Sequence, residues 1–174
     1  MRMMSALAML ATLVTTAAMP ATAQGKRDIL GSYRDWDALT HVSGKSKTCY
    51  MISVPKKSAV SKSGARRGDI YITISHMPGQ KRKGEVNAVV GYPLKPGQDV
   101  KFTVDGKTSF KLFVDGNGAW AYDAADDGRI VAAMQRGSSL TVEGMSSRGT
   151  KTTDTYSLSG FTAAFKAISK ACGY

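Results

Sequence analysis

Between Asp99 and Tyr122 the chain divides into short strand-like runs, the first of them cleanly alternating, separated by Asp-Gly and Asn-Gly pairs. Val100, Phe102 and Val104 point one way, and Asp105-Gly106 follows directly. Phe110, Leu112 and Val114 then share the face of a return strand. Asp115-Gly116 and Asn117-Gly118 lead into Ala119 to Tyr122. A period of two predicts strands, and Asp-Gly supplies the positive φ that tight hairpin turns need. Three strands joined this way form an antiparallel meander.

The same chemistry extends outward. Thr48 to Val54 is β-rich, with Cys49, Met51, Ile52 and Val54 apolar. Asp69 to Met77 alternates, with Ile70, Ile72 and Ile74 on one face, and His76 closes it at an expected sheet rim. Glu85 to Tyr92, Leu140 to Gly144 and Asp154 to Leu158 read as further strands, the last two around the turn Ser146 to Thr150. Lys56 to Gly68 lacks periodicity and is expected to be a long exposed loop. Gln24 to Asp28 is expected to fray.

Two segments switch to helical spacing. In Asp126 to Arg136, Ile130, Val131 and Met134 lie on one stripe; acids stand at its start, Arg136 at its end, and Gly137 stops it. In Phe161 to Ala171 the stripe is Phe161, Ala164, Phe165 and Ile168, and Gly173 caps the end. The expected fold is mainly β: an antiparallel β-sandwich or compact barrel with one short helix and a C-terminal amphipathic helix.

The N-terminus reads as an export signal. Arg2 is the only charge before Lys26, Ala6 to Ala18 is apolar or small apart from three threonines, and Pro20 precedes Ala21-Thr22-Ala23. This order matches a cleavable signal peptide over residues 1–23. The run is shorter than the about 20 apolar residues of a membrane span. Cleavage after Ala23 leaves residues 24–174, 151 of the 174, enough for a single domain with its own core. The expected location is periplasmic or secreted, with no integral span after cleavage.

That compartment shapes the reading of the cysteines. Cys49 and Cys172 are the two cysteines of the chain. An oxidising environment favours their pairing. Cys-x-x-Cys is absent, and His41 and His76 have no zinc-ligand spacing. A structural disulfide between the first core strand and the last helical turn is expected.

Charge is unevenly distributed. Gln24 to Lys95 holds 14 basic and 5 acidic residues, whereas Pro96 to Tyr174 holds 9 and 8. Within the first half, Lys56, Lys57, Arg66, Arg67, Lys81, Arg82 and Lys83 form the candidate anion- or partner-binding set. A solvated basic face is the plain alternative. An anionic envelope or host surface component, or a protein partner, suits this charge; nucleic acid belongs to the wrong compartment.

Catalytic patterns are weak. Ser159-Gly160 lacks a hydrolase elbow. His41 and His76 lack evident partners, and Asp123, Asp126 and Asp127 suit a helix start better than a glycosidase pair. Asp115 to Gly118 has neither the third acid nor the distal Glu of a calcium loop. The chain is therefore expected to be no enzyme and to need no cofactor or metal. Trp36 and Trp120 are expected to pack in the core or at its rim, with ligand contact as the alternative.

Several segments in order resemble the invasion-associated locus B (IalB) family of alphaproteobacterial exported proteins. They are Tyr33 to Asp37 (YRDWD), Thr48-Cys49-Tyr50, Val104-Asp105-Gly106, Ala119-Trp120-Ala121, Ile130 to Gly137 (IVAAMQRG), Ser146 to Thr150 (SSRGT) and Asp154 to Phe161 (DTYSLSGF). The resemblance implies a secreted or periplasmic β-rich domain, linked by name to host-cell invasion, with no catalytic residues to carry over. Some relatives have a further cysteine pair in mid-domain, where this chain has Phe113 and Ala119-Trp120. An exported binding protein is the leading reading; an assembly partner of a membrane-associated complex and a small envelope hydrolase are the alternatives.

Overall fold

The computed structural model describes residues 25–174. The signal expected over residues 1–23, its cut after Ala23 and the new N-terminal Gln24 lie outside the described residues.

Eleven strands and two α-helices make up the domain. In chain order they are β1 (Lys26–Tyr33), β2 (Trp36–Ser43), β3 (Ser46–Ser53), β4 (Lys57–Val60), β5 (Tyr71–Met77), β6 (Arg82–Val89), β7 (Val100–Val104), β8 (Thr108–Asp115), β9 (Gly118–Trp120), α1 (Ala124–Arg136), β10 (Ser139–Met145), β11 (Lys151–Ser157) and α2 (Phe161–Cys172). All strand pairs are antiparallel, in one sheet ordered β1-β2-β3-β5-β6-β9-β8-β7-β10-β11-β4. The sheet curls on itself: Trp36 Nε1 on β2 donates to the Ser157 carbonyl on β11 at 3.0 Å. One core fills the interior, from Met51, Ile72 and Ile74 through Phe102 and Leu112 to Leu140 and Tyr156.

The meander forms as the alternation demands. Val100 faces Leu112 and Phe102 faces Phe110 across β7 and β8, and Phe113 faces Trp120 across β8 and β9. The β7–β8 turn holds Asp105 at φ 49° and Gly106 at φ 67°, the left-handed values that Asp-Gly accommodates.

Both helices appear where periodicity places them. Asp123 caps α1 by accepting from the Asp126 amide at 2.8 Å, and Ile130, Val131 and Met134 are buried. Gly137 ends α1 in an extended conformation, so it is not a left-handed cap. A Cβ there would lie 2.4 Å from Val104 Cγ1, so close packing on β7 explains the glycine. α2 buries Phe161, Ala164 and Ile168 and ends at Gly173, φ 75°. Phe161 meets the Trp36 ring edge-on at 5.0 Å between centroids, which seats α2 on β2.

Some expectations change. The Cys49 strand is the third in the sheet, because β1 and β2 precede it. Lys26 pairs with Val42, so order begins inside the segment expected to fray. The expected loop Lys56 to Gly68 contains β4, whose four residues are all exposed and pair with β11. No burial pattern marks such a strand; it exists because β11 offers it a ladder. Cys49 and Cys172 form a disulfide with Cα atoms 6.0 Å apart, joining β3 to the end of α2.

Candidate functional site

β9 ends at Trp120 opposite Asn87, so the first half of β6 has no strand beside it on that side. α1 fills part of the gap. Asp127, in its first turn, accepts from the Val86 amide at 2.8 Å, a side-chain oxygen standing where a strand carbonyl would be. The remaining space is a groove of about 880 Å³. Phe113, Trp120 and Tyr122 line one part of it, Val131 and Phe165 another, and Lys81, Arg82 and Lys83 belong to its lining too.

The electrostatics of the groove are mixed. Burial pushes the Asp127 carboxyl up to about 6, against the opposing Val86 hydrogen bond; Glu85 and Asp123 add to the rise. Arg82 is paired with Glu85. Lys81 and Lys83 make no salt bridge among the described residues, and Lys83 Nζ stands 5.5 Å from the centre of the Tyr174 ring. Tyr122 is 55% exposed and Phe113 37%. The two rings tilt against each other at 5.6 Å, and the Tyr122 hydroxyl donates to Asp99 at 2.6 Å. Trp36, in contrast, is core, 1% exposed.

The sequence-selected cations do not form one surface. Lys57 lies on the β4 edge and Arg66 in the loop that follows, both exposed, and neither joins the groove. Lys56 pairs with Asp35 at 2.5 Å. Arg67 leaves the solvent-facing set altogether. Its guanidinium grips both oxygens of Asp154, at 2.7 and 2.6 Å, and donates to the Val90 carbonyl, with Tyr92 5.2 Å away. The side chains are 8% and 1% exposed. An inward carboxylate on β11 requires such a partner, since an unpaired buried charge is costly.

His76 also departs from expectation. It is fully buried, not at a rim, because it continues the inward face of Ile72 and Ile74. Its Nδ1 accepts from the Gly84 amide at 2.9 Å, so the ring proton sits on Nε2, 3.0 Å from Ser169 Oγ. Nε2 therefore donates to Ser169 and cannot take its proton; the pair is not a nucleophile with its base. Burial, and to a lesser extent Lys83, lowers the His76 pKa to about 4. His41 lies half-buried on β2, without a hydrogen bond at Nδ1 among the described residues.

Asp123, Asp126 and Asp127 are used in helix capping, an ion pair with Arg129 and the bond to Val86. Asp115 to Gly118 is the β8–β9 turn. Among the described residues, no group of three or more His, Cys, Asp or Glu side chains is placed to hold a metal ion. No described helix is long and apolar enough to cross a membrane.

Fold and surface together define a disulfide-clasped, mainly β domain with an open aromatic groove. The profile of the Invasion associated locus B (IalB) protein family matches residues 36–169, and the chain belongs to that family. The match begins at Trp36, the first residue of β2, and ends in α2. It is not a known enzyme family. Neither a curated protein nor a solved structure matches the chain.

Proposed function

We propose that this protein is exported to the periplasm or beyond and acts without catalysis, binding an anionic envelope or host-surface component, or an acidic protein partner. The observation that carries this reading is the set Lys57, Arg66, Lys81 and Lys83. All four are exposed, and none forms an ion pair among the described residues. The disulfide supports export, because such bonds persist in oxidising compartments.

Exposed charges are screened over about 8 Å at physiological ionic strength. Polyglutamate, which offers charge and little else, is expected to bind at low salt and to be released steeply as salt rises. The combined variant Lys57→Glu, Arg66→Glu, Lys81→Glu and Lys83→Glu is expected to lose that binding while keeping its disulfide and circular dichroism. Retention that ignores salt, or survives the four reversals, would remove the reading. Export has its own measurement: the intact mass of protein from a periplasmic extract is expected to equal that of residues 24–174, and a full-length cytosolic product would contradict it.

A further inference from the structure

We infer that the end of the groove lined by Phe113, Trp120 and Tyr122 binds a small organic cation of the trimethylammonium class. The inference goes beyond the charge reading above, which concerns anions and cationic side chains away from these rings.

The groove is polarised along β6. Lys81, Arg82 and Lys83 enter it from the turn before β6 and from its first residues. Trp120 stands opposite Asn87, five residues beyond Arg82. The strand rise of about 3.3 Å per residue puts that ladder position roughly 16 Å from Arg82. Arg82 is paired with Glu85, and Lys83 is drawn to the Tyr174 ring at the end of the chain. The lining beside the rings carries three carboxylates, Asp115, Asp123 and Asp127, and no cation. Lys111, two residues before Phe113 on β8, does not join the lining. Asp123 and Asp127 each give one oxygen to a backbone amide, and such a bond leaves a carboxylate charged. Over the whole lining four carboxylates meet three cations, and the acidic excess falls at the rings.

The rings supply the second half of the recognition. Phe113 and Asp115, two residues apart on β8, share one face, and Trp120 faces Phe113 across the ladder. The Tyr122 ring tilts against Phe113 at 5.6 Å between centroids, and its hydroxyl is held by a further carboxylate, Asp99. One cation can therefore lie within about 6 Å of both ring centres, the range of a cation–π contact. Rings fixed before a ligand arrives lose little entropy on binding. A trimethylammonium group uses the rings and the carboxylates together. Its methyl groups cover the apolar ring faces, and its charge, with no N–H to satisfy, needs only the field of nearby carboxylates. A hydrated metal ion would leave the rings unused, and an anion would meet the wrong charge.

The experiment titrates the mature chain with choline at low salt and pH 8, where Asp127, raised to about 6, is ionised. Calorimetry and tryptophan fluorescence follow binding; Trp36 is buried, so a fluorescence change reports Trp120. The neutral isostere 3,3-dimethylbutan-1-ol supplies the same shape without charge, phosphatidylcholine vesicles supply the same group on a membrane, and polyglutamate supplies anionic charge alone. Choline is expected to bind and shift the fluorescence, and the isostere to bind at least about tenfold more weakly. Tyr122→Ala and Phe113→Ala alter exposed rings, and each is expected to weaken choline binding about tenfold. Asp115→Asn is expected to weaken choline binding without affecting the isostere. Lys81→Glu with Lys83→Glu is not expected to weaken choline binding, although it weakens binding of polyglutamate.

Equal binding of the isostere would overturn the cationic class. Choline binding that is indifferent to both ring variants would overturn the assignment to this end of the groove. Binding of the vesicles without binding of free choline would overturn the small-solute assignment. Polyglutamate binding with no choline bound would overturn the inference and leave the charge reading standing, and choline binding with no polyglutamate bound would do the reverse.

Discussion

Two parts of the curled sheet secure segments that the strand ladder does not order, and they do so by opposite chemistry. Near its β1 edge, α2 is fastened to β3 by the Cys49–Cys172 disulfide and to β5 and β6 by His76, a buried ring held neutral between the Gly84 amide and Ser169. Near its β4 edge, the loop after β4 is fastened to β11 and to Val90 by a fully charged pair, Arg67 with Asp154. A covalent bond acts largely by restricting the unfolded chain, and a neutral hydrogen-bonded ring avoids the cost of desolvating a charge. A buried ion pair incurs that cost and recovers it only while both partners are present. The first part should therefore yield to reductant and acid, the second to removal of one charge.

Opening the disulfide should have the largest effect. The two cysteines are 123 residues apart, and for a loop of that length chain entropy gives an upper value of about 5 kcal/mol. Cys49→Ala with Cys172→Ala should lower the urea midpoint by a corresponding amount, and an unchanged midpoint would show that packing alone holds α2. Next comes Asp154→Asn, which strands the Arg67 charge and should cost about 3–5 kcal/mol. Replacing both partners, Arg67→Met with Asp154→Leu, should restore most of that stability. If the double variant is as unstable as the single one, the hydrogen bonds to Val90 matter more than the charge.

Acid sharpens the contrast. His76 falls from 6.5 to about 4 on folding, so the unfolded chain binds the extra proton between those values and stability declines as pH falls through that window. The loss should reach about 2–3 kcal/mol by pH 4. His76→Asn should be less stable at neutral pH but show a flatter acid slope. Asp127 works in the other direction. Its folded value, raised to about 6 from 3.8, means that the native state takes up the proton first and gains stability as pH falls from about 6 to 3.8. Asp127→Asn, which keeps an acceptor for Val86, should remove that gain and steepen the acid decline. Parallel acid slopes in the parent and either variant would refute the assignment of that group.

The smallest effect on stability is expected at the proposed binding cations. Lys81→Glu and Lys83→Glu are exposed changes and should alter the unfolding free energy, read from urea melts, by no more than about 0.5 kcal/mol. A larger loss would mean that the Lys83 contact with Tyr174 helps hold α2, joining Lys83 to the His76 cluster.

Much of this architecture was legible because its signals are local. The Asp105-Gly106 turn needs only its own two residues, and Ile130, Val131 and Met134 announce α1 by spacing. β2 was not read as a strand, although Trp36, Ala38 and Thr40 alternate as its buried face does, and His76 could have been placed inside by extending the face of Ile72 and Ile74 two residues further. The groove was legible only in fragments: Trp120 and the Lys81 to Lys83 cluster stood out, but nothing in their separation along the chain says that they line one cavity.

The sequence by itself determined the β-rich class, the hairpins, both helices and the disulfide partners, because turn preferences, periodicity and a cysteine count of two are properties of short segments or of composition. Only the tertiary structure decided that Arg67 turns inward while Arg66 stays out, that four exposed residues become β4, and that the rings of Phe113, Trp120 and Tyr122 share one groove with Asp127 beside β6. Those outcomes depend on which distant segment supplies a buried carboxylate, an open strand edge or a wall. Long-range pairing settles that for the whole chain at once, and no local pattern encodes it.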